Sequence, residues 1–416
     1  MNDWTGHWSQ WLSAAQGLPT VQWALLLAFA SVCGHLLQRH SGLPKVVGYT
    51  LVGTLAGLAG FGDVAWPLSG TALYLVELGV AIVLFECGGR IPLVWFRHNP
   101  MVLVQSLAES VLTYGAVFFT LRWLGVPGAV AGALALVALA ASPTVLTRVV
   151  ADMHASGPVT ERAIVLSTLS SLYALALAGA QAGMGLDADA GWLSAAASVL
   201  RVLGASVAVG ALLALLLRLA LRVMSPIAEN TALLLLLLIA AATAFTPALG
   251  GSAPLAALLA GMLLKQIHPR PLAWPRQTGT AASLLTLLMF VLVSSVAAHG
   301  PWSAAAAGAV LALVVMRLLA KAAGVALGNA GSGASWRQAL WTASAMAPMS
   351  AVALLVAAQL AAVSADAALL TAIALPAILL MEVLGAVVCA LATQRAGESA
   401  KPWRMRSHAS ADKEQP

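Results

Sequence analysis

Long apolar runs, separated by short segments rich in charge, proline or glycine, occupy most of this chain. A helix needs about 20 residues to cross the hydrocarbon core of a bilayer. The pattern therefore predicts roughly thirteen transmembrane spans. In chain order they are residues 21–37, 45–61, 71–89, 101–121, 128–150, 161–184, 192–221, 231–247, 252–267, 279–298, 304–327, 337–362 and 367–392.

Composition leads to the same class of protein. Of the 416 residues, 61% are hydrophobic and only 9% are charged, whereas soluble domains carry about 25% charged residues. A soluble fold of this size could not cover its surface with so few charges. Disordered and disulfide-rich secreted chains are excluded by the apolar content and by the presence of only three cysteines. We therefore expect an all-α polytopic membrane protein with one membrane domain over residues 21–392.

The basic residues predict the orientation. Of the 18 lysines and arginines that lie in the connections, in the tail or in the terminal turns of the spans, 17 fall on one side of the membrane when the spans alternate. That side is cytoplasmic by the positive-inside rule, so the N-terminus lies outside and the C-terminus inside a bacterial inner membrane. Residues 1–20, with Trp4, Trp8 and Trp11 at helical spacing, predict a periplasmic interfacial helix. Residues 393–416 predict a short, disordered cytoplasmic tail.

Prolines near the middle of two spans are candidates for paired helix breaks. Pro143 interrupts span five and Pro348 interrupts span twelve. If span seven is a linker, spans one to six pair with spans eight to thirteen, and the two prolines fall at matching positions. Paired interruptions of this kind mark the substrate site in transporters built from inverted repeats. Ordinary proline kinks are the alternative interpretation.

Several segments resemble the monovalent cation:proton antiporter superfamily. Residues 42–60, GLPKVVGYTLVGTLAGLAG, are similar to its LPxVVGYxxxGxxxG segment, and residues 76–100 contain its Glu-Leu-Gly and Leu-Phe-Glu-x-Gly-Gly signature. Ala141-Ser142-Pro143-Thr144 occupies the position of the family's first helix break, and Met346-Ala347-Pro348-Met349-Ser350 that of the second. The resemblance covers nearly the whole chain.

This resemblance implies a sodium/proton antiporter fold with two crossed, proline-interrupted helices. It also implies exchange of sodium or potassium for protons by alternating access, and a homodimer. From the residues themselves, no phosphate-binding loop, dinucleotide-binding pattern, catalytic triad or metal-ligand cluster is found. We therefore expect a transporter rather than an enzyme, without a cofactor or a metal centre, and with lipid, cations and protons as its partners.

One departure from the family pattern concerns the ion-binding residues themselves. The resemblance implies an Asn-Asp or Asp-Asp pair in span six, where this chain has Ser170-Ser171. Serine hydroxyls do not titrate at physiological pH, so coupling through the usual carboxylate is excluded. The predicted site then consists of Ser142, Thr144, Ser170 and Ser171, with backbone carbonyls freed at Pro143 and Pro348.

Four carboxylates lie within the spans, and ionisable residues inside a membrane are functional candidates by default. Glu86 and Glu77 fall in the family signature, and either could form an ion pair with Arg317 of span eleven. Glu109, beside Gln105, Ser106 and Ser110, is a candidate proton-carrying replacement. Glu382 is interpreted as structural, and Lys321 is expected to reach the cytoplasmic side.

Two other functions stay open. The fold could be kept as a membrane scaffold or regulatory subunit that transports nothing. It could also move an anion or a neutral solute without proton coupling, because half-helix N-termini favour anions. A basic residue at the helix breaks would distinguish that last possibility, and the sequence places none there.

Overall fold

A computed structural model describes residues 20–61, 66–91, 93–184, 192–225, 229–267, 276–300, 302, 304–329 and 331–400. These residues are nearly all helical, as predicted. The predicted interfacial helix around Trp4, Trp8 and Trp11 and the tail residues 401–416 lie outside this set.

The helices, numbered in chain order, follow the predicted spans. They are α1 (Thr20–Ser41), α2 (Lys45–Leu58), α3 (Gly70–Arg90), α4 (Leu93–His98), α5 (Pro100–Trp123), α6 (Gly128–Leu139), α7 (Pro143–Met153), α8 (Pro158–Met184), α9 (Trp192–Val223), α10 (Glu229–Phe245), α11 (Ala253–Ile267), α12 (Arg276–Ala298), α13 (Ala304–Leu327), α14 (Trp336–Ala345), α15 (Ala351–Val363) and α16 (Ala367–Arg395). The short helix α4 was not predicted, and α16 ends at Arg395 rather than at residue 392.

Every predicted span coincides with one helix or with a pair of half-helices. Within the described residues, eight helical segments are long and apolar enough to cross a membrane. The chain is therefore a multi-pass membrane protein, and the predicted fold class is confirmed.

The contacts between helices repeat in the two halves of the chain, as an inverted repeat requires. In the first half α1 packs on α2, and in the second half α10 packs on α11. Across the halves, α3 contacts α11, and the corresponding helices α12 and α2 contact each other. In the same way α8 contacts α14 and α15, and its counterpart α16 contacts α6 and α7. Helices α5 and α13, which correspond to each other, pack together. The internal two-fold arrangement thus places α6–α7 and α14–α15 at matching positions.

Both broken helices are interrupted where the sequence predicts it. Helix α6 ends at Leu139, and α7 begins at Pro143. A residue before proline avoids helical conformation, whereas proline fits well in the first turn of a helix. Ser142 caps α7, since its hydroxyl accepts a hydrogen bond from the Val145 nitrogen at 3.3 Å. The second break runs from Met346 to Ser350 and contains Pro348.

The end of α16 is fastened to the start of α8. The Glu398 carboxylate accepts hydrogen bonds from the backbone nitrogens of Val159 at 2.7 Å and Thr160 at 2.8 Å, and from the Thr160 hydroxyl at 2.7 Å. A carboxylate at a helix N-terminus satisfies free N–H groups and interacts favourably with the helix dipole. These bonds tie the last span to span six, which carries Ser170 and Ser171.

Candidate functional site

Arg317 joins the two helix breaks. Its side chain is fully buried, and its guanidinium donates to carbonyl oxygens of both broken helices. The bonds reach Ala138 at 2.9 Å and Ala140 at 3.0 Å on the first break, and Ala347 at 2.6 Å and Pro348 at 3.2 Å on the second. The C-terminal ends of half-helices carry free carbonyls and partial negative charge. One cation therefore satisfies the carbonyl ends of α6 and α14 together.

A buried ion pair lies one turn along α13. The Lys321 ammonium group donates to Glu109 Oε1, and both side chains are almost completely inaccessible to solvent. The same ammonium group is 3.3 Å from the Leu139 carbonyl oxygen at the end of α6. The pair therefore connects α5, α13 and the first helix break.

The second oxygen of Glu109 is bound by hydroxyl groups. Ser170 donates to Glu109 Oε2 at 2.9 Å, and Ser110 donates to the same atom at 3.1 Å. Ser170 is one of the two serines that stand where the resemblance implies acids. The structure thus brings a carboxylate from span four against the span-six position that lacks one.

Close contact between α5 and α13 makes this arrangement possible. Gly324 faces the backbone of Glu109, and a Cβ atom there would lie 2.6 Å from the Glu109 nitrogen and 2.9 Å from its Cβ. Gly328 faces Gln105 in the same way. Small residues at helix interfaces allow backbones to approach each other in membranes. Glycine at position 324 therefore lets Lys321 reach Glu109.

We predict that Gly324→Ala separates α5 from α13 and weakens the ion pair. The expected result is a lower unfolding temperature in detergent, with a loss on the order of 1–3 kcal/mol from overpacking. Gly308→Ala is the matched control, because Gly308 lies in the same helix with no atom within 4 Å of the added methyl group. Equal unfolding temperatures for the two variants would show that the close contact at Gly324 is unimportant.

The other predicted hydroxyl residues lie at the first break. The Ser142 and Thr144 hydroxyls are 2.9 Å apart, and both side chains are buried. The Ser171 hydroxyl has its one proton between the Ala141 carbonyl oxygen, at 3.0 Å, and the Ser167 carbonyl oxygen, at 2.8 Å. Ser171 therefore holds span six against the break, while Ser170 contacts the carboxylate.

Glu86 and Glu77 lie apart from this cluster. Glu86 forms an ion pair at 2.6 Å with Arg90, one turn further along α3, and both side chains are partly exposed. Glu77 is half-buried in α3 and makes no ion pair among the described side chains. Arg317 contacts neither, because its donors are directed to the break carbonyls. The structure thus lacks the predicted pairing of Arg317 with Glu86 or Glu77.

The position of Lys321 corrects a sequence-based expectation. Lys321 lies only two turns from the end of α13, which suggested a side chain reaching the cytoplasmic surface. Side chains in a helix tilt toward its N-terminus, however, and here that direction leads to the centre of the bundle. The signal was available in the sequence as a lysine four residues after Arg317, on the same helix face.

Glu382 and Ser350 form a further buried contact that the sequence did not reveal. The Ser350 hydroxyl donates to Glu382 Oε1 at 2.7 Å, and both side chains are fully buried. Ser350 ends the second break, immediately before α15. Each break is therefore accompanied by one buried carboxyl group, Glu109 at the first and Glu382 at the second.

Oxygen atoms and one ammonium group surround the Glu109 carboxylate. No cluster of three or more His, Cys, Asp or Glu side chains able to hold a metal ion occurs in the described part of the chain. The polar atoms around Glu109 are carboxylate, hydroxyl and carbonyl oxygens, which are the ligands that hard cations prefer. In this structure the positive charge beside the Glu109 carboxylate is that of Lys321.

Comparison with known proteins relates this fold to a solved transporter. The structure of the sodium proton antiporter MjNhaP1 from Methanocaldococcus jannaschii at pH 8 has 16% sequence identity and a TM-score of 0.69, covering 90% of this chain and 97% of the other. The electron-microscopy structure of the same antiporter has 17% identity and a TM-score of 0.71, covering 91% and 98%. At these identities the likeness concerns the fold. A search of curated proteins returns no match.

The sequence also matches a family model. The model described as "Sodium/hydrogen exchanger, transmembrane" matches residues 25–394, which is nearly the whole chain. The spans, the paired breaks and this match agree, and the chain belongs to the sodium/hydrogen exchanger family.

Proposed function

We propose that this protein exchanges sodium or potassium for protons by alternating access, with Glu109 as the ion-binding carboxylate. The observation that carries the proposal is the position of Glu109 against Ser170, at the first helix break, with a buried cation bound to it. The fold of a protein named a sodium proton antiporter and the family membership support the transport class. In this proposal span four supplies the acid that span six lacks.

The ammonium group of Lys321 marks where a cation would bind. It is bonded to the Glu109 carboxylate and lies 3.3 Å from the Leu139 carbonyl oxygen. A monovalent cation could use those oxygens together with the hydroxyls of Ser170 and Ser110. Because two cations cannot share one carboxylate at low cost, the substrate ion and Lys321 compete for Glu109.

This competition provides proton coupling. When the substrate cation binds Glu109, Lys321 loses its counter-charge, and an unpaired ammonium group is costly to keep buried. Lys321 then releases its proton to water. After the cation leaves, Lys321 binds a proton and the ion pair forms again. One cation is thus exchanged against one proton at the pair.

The alternative of anion transport depends on a free positive charge at the breaks. Two basic residues do reach the breaks, but Arg317 is bonded to four carbonyls and Lys321 to Glu109. Neither is available to an anion in this conformation. The scaffold alternative leaves unexplained why a costly buried pair lies at the junction of the broken helices.

The proposal also covers the membrane in which the protein lies, its orientation and its oligomeric state. We infer an inner-membrane protein with its N-terminus outside, because the basic residues concentrate on one side of the spans. A homodimer is expected from the family resemblance. The contacts at Arg317 and Glu109 are made within one chain, so ion binding needs no second copy.

Proton flux in proteoliposomes tests the proposed function. Purified protein is reconstituted with a pH-sensitive dye, and sodium, potassium or lithium gradients are imposed in turn. We expect a pH change driven by at least one of these cations. The control variant Glu86→Gln, which removes only the ion pair with Arg90, should behave like the wild type. Folded protein that gives no response to any of the three gradients would contradict the proposal.

A further inference from the structure

The second buried carboxyl group has an unusual environment. Glu382 is fully buried in α16, and only one of its two oxygens has a hydrogen-bond partner. That partner is the hydroxyl of Ser350, at the last residue of the second break. Glu382 Oε2 has no donor or acceptor within reach among the described residues.

Glu382 lies directly at the break. Gly385, one turn further along α16, packs so closely on the break that an added Cβ would lie 2.6 Å from Pro348 Cα and 2.8 Å from the Pro348 nitrogen. Residues three apart share one face of a helix. A rearrangement of the second break would therefore change the surroundings of Glu382 immediately.

The charged groups of the neighbouring helices are engaged elsewhere. Helices α2, α6, α7, α12, α13, α14 and α15 pack against α16. Of these helices, α2 carries Lys45 and Tyr49, α7 carries Arg148 and Asp152, and α13 carries Arg317 and Lys321. Helices α6 and α15 and residues 282–298 of α12 carry no titratable side chain, and Arg337 lies at the far end of α14.

None of these groups compensates Glu382. Arg317 is bonded to backbone carbonyls and Lys321 to Glu109, while Arg148 lies 3.8 Å from Asp152. No ion pair to Glu382 occurs among the described side chains. An ionised carboxylate buried in this way, with one hydroxyl donor, would carry a large desolvation cost.

We propose that Glu382 is a second proton-binding residue, which holds a proton in the conformation described here and releases it when the second break rearranges. Release transfers the proton from the carboxyl oxygen to a water molecule admitted at the break, and leaves a carboxylate that Ser350 continues to stabilise. This inference rests on the proposed function for its role in transport. It adds a proton site that is separate from the Glu109–Lys321 pair.

Infrared spectroscopy tests the bound proton without any transport. The wild type should show the carbonyl-stretch band of a buried protonated carboxyl group, and Glu382→Gln should lose it. Glu86→Gln, at a partly exposed carboxylate paired with Arg90, is the matched control and should keep the band. A spectrum that is identical in the wild type and in Glu382→Gln would overturn the proposal.

Ser350→Ala provides a second and milder variant. Removing the hydroxyl deletes the one hydrogen bond of the Glu382 carboxyl group, so the band should move to higher frequency. If Glu382→Gln fails to fold, this shift decides the question, and an unmoved band would contradict the assignment.

Reversal potentials measured in proteoliposomes test whether Glu382 releases its proton during transport. If Glu382 releases its proton in each cycle, Glu382→Gln should move fewer protons per cation and shift the cation gradient that balances a fixed pH gradient. An unchanged balance point would show that the proton stays bound throughout the cycle and overturn its release. A wild type without any exchange would refute the proposed function, while the infrared result would still decide whether Glu382 holds a proton.

Discussion

Replacing Arg317 by alanine is expected to unfold or strongly destabilise the protein. The guanidinium is the shared partner of four carbonyl oxygens from the two helix breaks. Its removal leaves those buried carbonyls without a donor, and each unsatisfied group costs about 1–3 kcal/mol. We expect a loss of at least about 3 kcal/mol, measured as a large fall in unfolding temperature in detergent.

The hydrogen bonds from Arg317 to both breaks form a clamp, and two further variants separate its role from a general effect of charge. Arg317→Lys keeps the charge but cannot span both breaks, because an ammonium group has three donors around one point and lacks the planar fork of arginine. It should be less stable than the wild type and more stable than Arg317→Ala. Arg201→Ala, at an exposed position of α9, should change the unfolding temperature little. Equal effects at positions 201 and 317 would refute the clamp.

Replacing Glu109 alone is expected to be nearly as damaging, for a different reason. Glu109→Gln removes the counter-charge of the buried Lys321 side chain, so folding must either bury an unpaired ammonium group or remove its proton. Removing one partner of a buried ion pair typically costs about 3–5 kcal/mol. The unfolding temperature should therefore fall strongly.

The double variant Glu109→Gln with Lys321→Gln should recover most of that loss. Both charges are then removed, and neutral amides of similar size can hydrogen-bond in the same place. Thermal unfolding of the two single variants and the double variant forms a double-mutant cycle that isolates the pair. Additive effects in this cycle would mean that Glu109 and Lys321 do not interact as described.

The fold could be predicted from the sequence because its main constraint is local. Each span must satisfy its own backbone hydrogen bonds in lipid, so an apolar run of sufficient length is already a helix. The breaks at Pro143 and Pro348 were visible because the two prolines fall at matching positions of paired spans. A proline alone does not mark a break, since Pro376 lies inside the continuous helix α16. The family motifs at residues 42–60 and 76–100 then specified the arrangement of the spans.

The partners of the buried charges could not be predicted, because they depend on contacts between distant helices. Lys321 and Glu109 are 212 positions apart, and nothing local links them. The contact depends on the close approach at Gly324, which one sequence does not distinguish from other glycines. The place of Glu86 in the family motif suggested an ion pair with Arg317, yet its side chain is paired with Arg90.

The most direct test of the central claim is cation-driven proton flux by the Glu109→Gln, Lys321→Gln double variant, measured beside the wild type in proteoliposomes. The variant keeps the shape of the site and both helix breaks but has no titrating pair. We predict that it folds and inserts like the wild type and gives no proton flux under sodium, potassium or lithium gradients. Wild-type flux from the folded double variant would show that cations and protons are exchanged at another site.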